Sequence, residues 1–252
     1  MAERLPDGGV QALQQFVSQS TWDHTAVLKA TARKTVPAVD PVVWVIDDVS
    51  FPKDGKMSVA VARQWRGALG RQSNCQVAVS LHAASDTASV PISWRLFLPE
   101  AWQDDCARRA KAGVPEQVVH RGKWRLALDL IDEATGWCLA LKVIVADAGY
   151  GQNNAFRQGL AERGLDFVVA VRGDETAHDH EAAPTSPDWS RTGRRPVARY
   201  RTPALPLKDL AARGRRKAYR QATWRKGSKG PHLPPPLTTP TTEPPTSTNL
   251  TK

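Results

Sequence analysis

Val42-Val43-Trp44-Val45-Ile46 is an unbroken β-branched and aromatic run stopped by Asp47-Asp48, and Leu141-Lys142-Val143-Ile144-Val145-Ala146 is a second such run stopped by Asp147. Continuous apolar runs of this length suit strands buried on both faces. Between them, Cys75-Gln76-Val77-Ala78-Val79-Ser80-Leu81 and Ile92-Ser93-Trp94-Arg95-Leu96-Phe97-Leu98 alternate with period two, and Ser85-Asp86-Thr87 supplies turn chemistry. The first run and these two segments are expected to pair as a three-stranded antiparallel unit.

The second half changes period. Trp124, Ala127, Leu128, Ile131 and Ala134 recur at helical spacing from about Lys123 to Thr135, with Gly136 as the stop. After Asp147, Asn153 or Asn154 suits the cap of a helix through Phe156 and Leu160 that ends at Gly164, and Asp166-Phe167-Val168-Val169-Ala170-Val171 supplies a last strand. The order is β-β-β-α-β-α-β, so the last two strands are entered through helices and run parallel to a neighbour. This predicts an α/β protein with a mixed sheet in the strand order of the ribonuclease H-like fold.

The chain has 252 residues, enough for a substantial core, which excludes a disulfide-stapled miniprotein. Its net charge of +10 is unevenly placed: residues 191–229 hold fourteen Lys or Arg against one acid, Asp209, so this span carries +13 and the rest of the chain −3. Cys75, Cys106 and Cys138 form neither a disulfide framework nor a Cys-x-x-Cys metal site. No charged start precedes an apolar run, and no stretch approaches the roughly 18 apolar residues of a membrane helix. A reduced cytosolic compartment, with no membrane and no small-molecule cofactor, is the expected setting. Four regions are expected: a remnant of a helical region at 1–38, the ribonuclease H-like core at 39–175, a basic region at 176–230 and a disordered Pro/Thr-rich tail at 231–252, where Pro and Thr supply 14 residues. The helical signal at the N-terminus runs from Val10 to Leu28.

The chemistry is expected at the strand ends. The first and fourth predicted strands are neighbours in a sheet of this order, so Asp47, backed by Asp48, and Asp147 are expected near one point, where open α/β sheets place their sites. Two close carboxylates repel and favour a shared hard cation such as Mg²⁺, which suits phosphate chemistry. The competing reading is that such aspartates start turns or cap helices.

The residues Ile46-Asp47-Asp48-Val49-Ser50-Phe51-Pro52-Lys53-Asp54-Gly55-Lys56, then Gly70-Arg71, Asn74-Cys75-Gln76-Val77-Ala78-Val79, Leu98-Pro99-Glu100-Ala101-Trp102, Ala146-Asp147-Ala148-Gly149-Tyr150-Gly151 and Trp224-Arg225-Lys226-Gly227-Ser228-Lys229-Gly230 resemble blocks of the DDE (Asp-Asp-Glu) insertion-sequence transposases, in the branch called DDE-superfamily endonucleases. The resemblance spans about residues 8–230. It implies a ribonuclease H-like nuclease that cuts and rejoins double-stranded DNA at transposon ends with Mg²⁺ or Mn²⁺, with possible self-association. Asp47 and Asp147 match the first two catalytic acids and metal ligands, and Asp48 is the weaker alternative. The family's third acid, a Glu on a later helix, has no counterpart before the Pro/Thr tail, so the expectation is a truncated and inactive copy. The alternative is a non-catalytic DNA-binding remnant that competes or co-assembles with a full-length enzyme.

The basic span suits contact with DNA phosphates through Arg191, Arg194, Arg195, Arg213, Arg215, Arg216, Lys217, Arg225, Lys226 and Lys229. It shows no helix-turn-helix or zinc-finger spacing, and a solvated charge run is the competing reading. Ala177-His178-Asp179-His180-Glu181 has metal-like content but sits in a Pro- and Ser-rich loop, where solvated side chains are the ordinary case. Gly149-Tyr150-Gly151 lacks phosphate-loop spacing and is expected to turn strand into helix. Trp44, Trp65, Trp94, Trp124 and Trp137 are assigned to packing, and Trp189 and Trp224 to nucleic acid.

Overall fold

The computed structural model describes residues 9–141, 143–179 and 181–213 and the strand residues 225–227 and 230–232. It contains helices α1 (Val10–Gln19) and α2 (His24–Val39), strands β1 (Val43–Pro52), β2 (Ala62–Arg66), β3 (Arg71–Ala84) and β4 (Ser89–Leu96), and helices α3 (Cys106–Lys111) and α4 (Lys123–Gly136). β5 (Val143–Ala146), α5 (Ala148–Gly151), α6 (Asn154–Glu162), β6 (Asp166–Val169), β7 (Thr176–Ala177), β8 (Leu205–Pro206), α7 (Leu207–Arg213), β9 (Arg225–Gly227) and β10 (Gly230–His232) complete it. The chain divides into two compact units, Met1–Val145 with Leu165–Phe167, and Ala146–Gly164 with Val168–Lys252.

The first unit is built on a mixed sheet ordered β2-β3-β1-β5-β6, with β4 also on β3. β1 lies antiparallel to β3 over its whole length, from Val43 opposite Ala84 to Pro52 opposite Cys75. β2 pairs with β3 from Ala62 opposite Cys75 to Arg66 opposite Arg71, and β4 pairs with it from Leu96 opposite Ala78 to Ser89 opposite Ala84. Cys75 therefore has Pro52 on one side and Ala62 on the other, so β2 and β4 share the second edge of β3, one after the other. The succession β4-β3-β1-β5-β6 is the ribonuclease H-like order.

Three local differences from the sequence reading have physical causes. β1 does not stop at Asp47: its hydrogen bonding to β3 continues through Asp47-Asp48 to Pro52, because β3 is long enough to pair that far. β2 was not expected, since Ala62-Arg63-Gln64-Trp65-Arg66 has no apolar alternation. The N-terminal helical stretch is two helices, broken at residues 20–23, where Asp23 caps α2 by accepting from Thr25 N at 2.9 Å. Trp22, in the break, stacks on Phe16 with ring centroids 5.7 Å apart.

α4 packs on β3 and β4. Its buried stripe, Leu126, Ala127, Leu130, Ile131 and Ala134, recurs at helical spacing, and Trp44, Ile46, Val79 and Leu81 are buried in the strands. Each large side chain removed from water this way stabilises the unit by about 1.5–3 kcal/mol. Buried Ser93 donates to Glu133 Oε2 at 2.8 Å, and Arg95 donates to Oε1 of the same carboxylate at 2.6 Å. A smaller cluster of Ala60, Leu98 and Trp102 secures the loop after β1: Trp102 Nε1 donates to Val61 O at 2.8 Å, and the Arg108 guanidinium lies 3.8 Å from the Trp102 ring centroid.

In the second unit, Tyr150, Phe156 and Leu160 are buried. Asn153 caps α6 through Phe156 N, and Gly164 takes a left-handed φ of +65° just past its end. The backbone of Gly151 touches Ala170: a Cβ there would lie 1.9 Å from Ala170 O, so only glycine fits. β7 pairs with β8, and β9 with β10. Residues 233–252, the rest of the predicted disordered tail, lie outside the described residues.

Candidate active site

Alternation along β1 puts Trp44, Ile46 and Asp48 on one face and Val43, Val45 and Asp47 on the other. Trp44 and Ile46 lie in the core, so their face is the one turned to α4. Asp48 shares it, and its Oδ2 lies 2.5 Å from Lys123 Nζ, the first residue of α4. Asp47 is exposed on the opposite face, across from Ser80 of β3. Its Oδ1 accepts from Asp48 N at 2.7 Å, and its backbone carbonyl accepts from Ser80 Oγ at 2.9 Å. Ser80 is fully buried and lies 3.0 Å from His82 Nε2. Burial holds the His82 imidazole below its usual range, while nearby Asp47 pulls it the other way.

Asp147 follows β5 directly and caps α5. Its Oδ1 accepts from Gly149 N at 2.9 Å, and its carbonyl accepts from Gly151 N at 2.8 Å. The capping reading of this residue is therefore realised, and among the described residues it leaves the second carboxylate oxygen uncommitted. A Cβ on Gly149 would sit 3.1 Å from Asp147 Oδ1, so a larger residue there would press on the carboxylate by a few tenths of an ångström. Gly151 thus serves close backbone approach, in keeping with a strand-to-helix turn.

Both aspartates use Oδ1 to order local backbone, and the Oδ2 atoms make no hydrogen bond to another described residue. Hard carboxylate oxygens of this kind suit Mg²⁺ or Mn²⁺. Asp48 is less suited, because a lysine ammonium already neutralises it. Among the described residues, no group of three or more His, Cys, Asp or Glu is placed to hold a metal ion. The His178 ring stacks on Tyr200 with centroids 3.6 Å apart, and His180 lies outside the described residues. No described helix is long and apolar enough to cross a membrane.

Of the basic residues, Arg191, Arg194, Arg195 and Arg213 are exposed, and Arg195 lies over Trp189 with 5.1 Å to the ring centroid. Arg225 and Lys226 are in β9, where only the backbone is described; Arg215, Arg216, Lys217, Lys229 and Trp224 lie outside the described residues. The packing assignment holds for Trp44 and Trp137 but not for Trp65 and Trp94, which are 64% and 38% exposed. Lys123, Ser80 and His82 also escaped the sequence reading. The one signal for the last two was polar residues inside an otherwise apolar strand.

The chain is 27% identical over 165 residues to a protein of Microchaete diplosiphon described as a probable transposase for insertion sequence element IS701, a match covering 64% of this chain and 40% of that protein. The family of DDE superfamily endonucleases matches residues 1–231. A match over nearly the whole length shows that this chain belongs to the DDE superfamily endonucleases.

Proposed function

We propose that the chain carries part of the catalytic core of an insertion-sequence transposase, with Asp47 and Asp147 as the first two acids of the DDE set and joint ligands of a divalent metal. The observation that carries this reading is Asp47 itself: an exposed aspartate in mid-strand, on the sheet face away from α4, with one carboxylate oxygen uncommitted among the described residues. The match of Asp47 and Asp147 to the first two acids of the family's motif blocks supports the pairing. Bound Mg²⁺ or Mn²⁺ would neutralise charge on the scissile phosphate and activate a water or 3′-hydroxyl. The protein's own part is positional. Ser80 fixes the Asp47 carbonyl, Gly149 N–H orients the Asp147 carboxylate, and Lys123 keeps Asp48 occupied. The exposed arginines of 191–213, with the basic residues beyond them, bind the phosphates of double-stranded DNA at transposon ends in the bacterial cytosol.

The test is nicking of supercoiled plasmid in Mg²⁺ or Mn²⁺. Metal-dependent nicking that is lost in both Asp47→Ala and Asp147→Ala would establish both acids as catalytic, whereas a wild-type chain that does not nick would favour the inactive copy. Nicking that survives either substitution would remove that residue from the site.

A further inference from the structure

The β2–β3 hairpin has the charge and the placement of a second DNA-contacting surface, separate from the basic span at 191–229. Residues 53–74 hold five Lys or Arg against one acid, so they carry +4, while the chain outside both basic segments sums to −7. The charge is concentrated in a built feature. Lys56, Arg63, Arg71, Ser73 and Asn74 line one groove, with Asp54 as its single acid.

The groove is held in shape by its own hydrogen bonds. Asn74 Nδ2 donates to Lys53 O at 2.6 Å and to Gly55 O at 3.0 Å, and Arg108 Nη2 donates to Lys56 O at 2.5 Å. Ser73 Oγ is buried, yet it has no hydrogen-bond partner among the described residues. Beside the groove, Trp65 presents a large ring that is 64% exposed. An exposed indole flanked by arginines has no role in the core.

Register fixes where this surface lies relative to Asp47. Arg63 is opposite Asn74 and Trp65 opposite Gln72, as Asp47 is opposite Ser80. Asn74 and Gln72 are even steps along β3 from Ser80, and no bulge interrupts the pairing with β1 and β2 in between, so their side chains share the face of Asp47. At about 3.3 Å per residue, Arg63 and Trp65 lie roughly 20–26 Å along the strand from the level of Asp47. At about 3.4 Å per base pair, that spacing equals roughly 6–8 base pairs of duplex.

We infer that the β2–β3 hairpin grips duplex DNA flanking the phosphate engaged at Asp47, with Lys56, Arg63 and Arg71 on the backbone and Trp65 against its sugars. This rests on the proposed transposase reading, but the two have separate readouts, since that reading is judged by metal-dependent nicking and this one by the salt dependence of binding. The experiment is fluorescence anisotropy of a labelled 30-base-pair duplex with the whole chain, over a range of salt concentrations in the absence of divalent metal. Each lost phosphate contact lowers the slope of log affinity against log salt by about 0.9. Lys56→Ala/Arg63→Ala/Arg71→Ala is expected to reduce that slope by about 2–3 and to weaken binding at least tenfold at low salt. Trp65→Ala is expected to weaken binding severalfold with the slope unchanged. Lys29→Ala/Lys34→Ala/Lys111→Ala removes the same charge from elsewhere in the first unit and should leave the slope alone. A hairpin triple variant that keeps the wild-type slope overturns the inference, as does an equal loss of slope in the control or a wild-type chain that binds no duplex.

Discussion

β3 is one strand with two chemistries. From Cys75 to Ala84 it has β1 along one edge, carries α4 on one face and buries Val77, Val79, Leu81 and Ala83. From Arg71 to Asn74 it leaves that shelter, pairs with β2 alone and carries side chains that are exposed or half-buried. The difference teaches where stability and recognition are divided: the sheltered half holds the fold and supports Asp47 through Ser80, and the projecting half is free to carry charge.

The division is open to direct attack. Leu81→Ala removes a fully buried side chain from the sheltered half and is expected to lower stability by about 2–5 kcal/mol in urea unfolding. Trp65→Ala, in β2 opposite the projecting half, should stay within about 0.5 kcal/mol. Comparable costs at the two positions would erase the distinction. Glu133→Ala strips the acceptor from buried Ser93 and from Arg95, and a loss of about 1–3 kcal/mol is expected from the orphaned hydroxyl. A neutral outcome would mean that water replaces the carboxylate and that this half is less closed than its burial indicates.

The smallest effect concerns His82, whose proton affinity is lowered in the folded chain. As pH falls through the unfolded-state value of about 6.5, the unfolded chain takes up a proton that the folded imidazole resists, so stability declines. His82→Gln should show a smaller drop in urea midpoint between pH 7.5 and 5.5 than the wild type. An equal drop would assign the pH dependence to other groups.

Much of the fold was legible because burial leaves a period in the sequence. The two apolar runs ending at Asp47 and Asp147, the alternation in β3 and β4, and the helical spacing from Trp124 to Ala134 all appear as ordered elements. β2 was invisible because a strand that projects from the core needs no apolar face. The extent of β1 beyond Ile46 was hidden for a related reason: backbone pairing with β3 carries the strand across two aspartates, and side-chain pattern does not report backbone pairing. At the candidate site, strand-terminal carboxylates drew attention to Asp47, Asp48 and Asp147. Which of the first two a metal would prefer depended on Lys123, 75 residues away in sequence, and no spacing rule brings it to Asp48.

The central claim is that Asp47 and Asp147 act as one metal site, and a double-mutant cycle on Mn²⁺ binding, followed by electron paramagnetic resonance on the whole chain, tests it most directly. Asp47→Asn and Asp147→Asn should each abolish the tightest binding, the double variant should be no worse than either single one, and Asp48→Asn should leave that binding in place. Losses that add independently at Asp47 and Asp147, or binding that depends on Asp48 instead, would contradict the account.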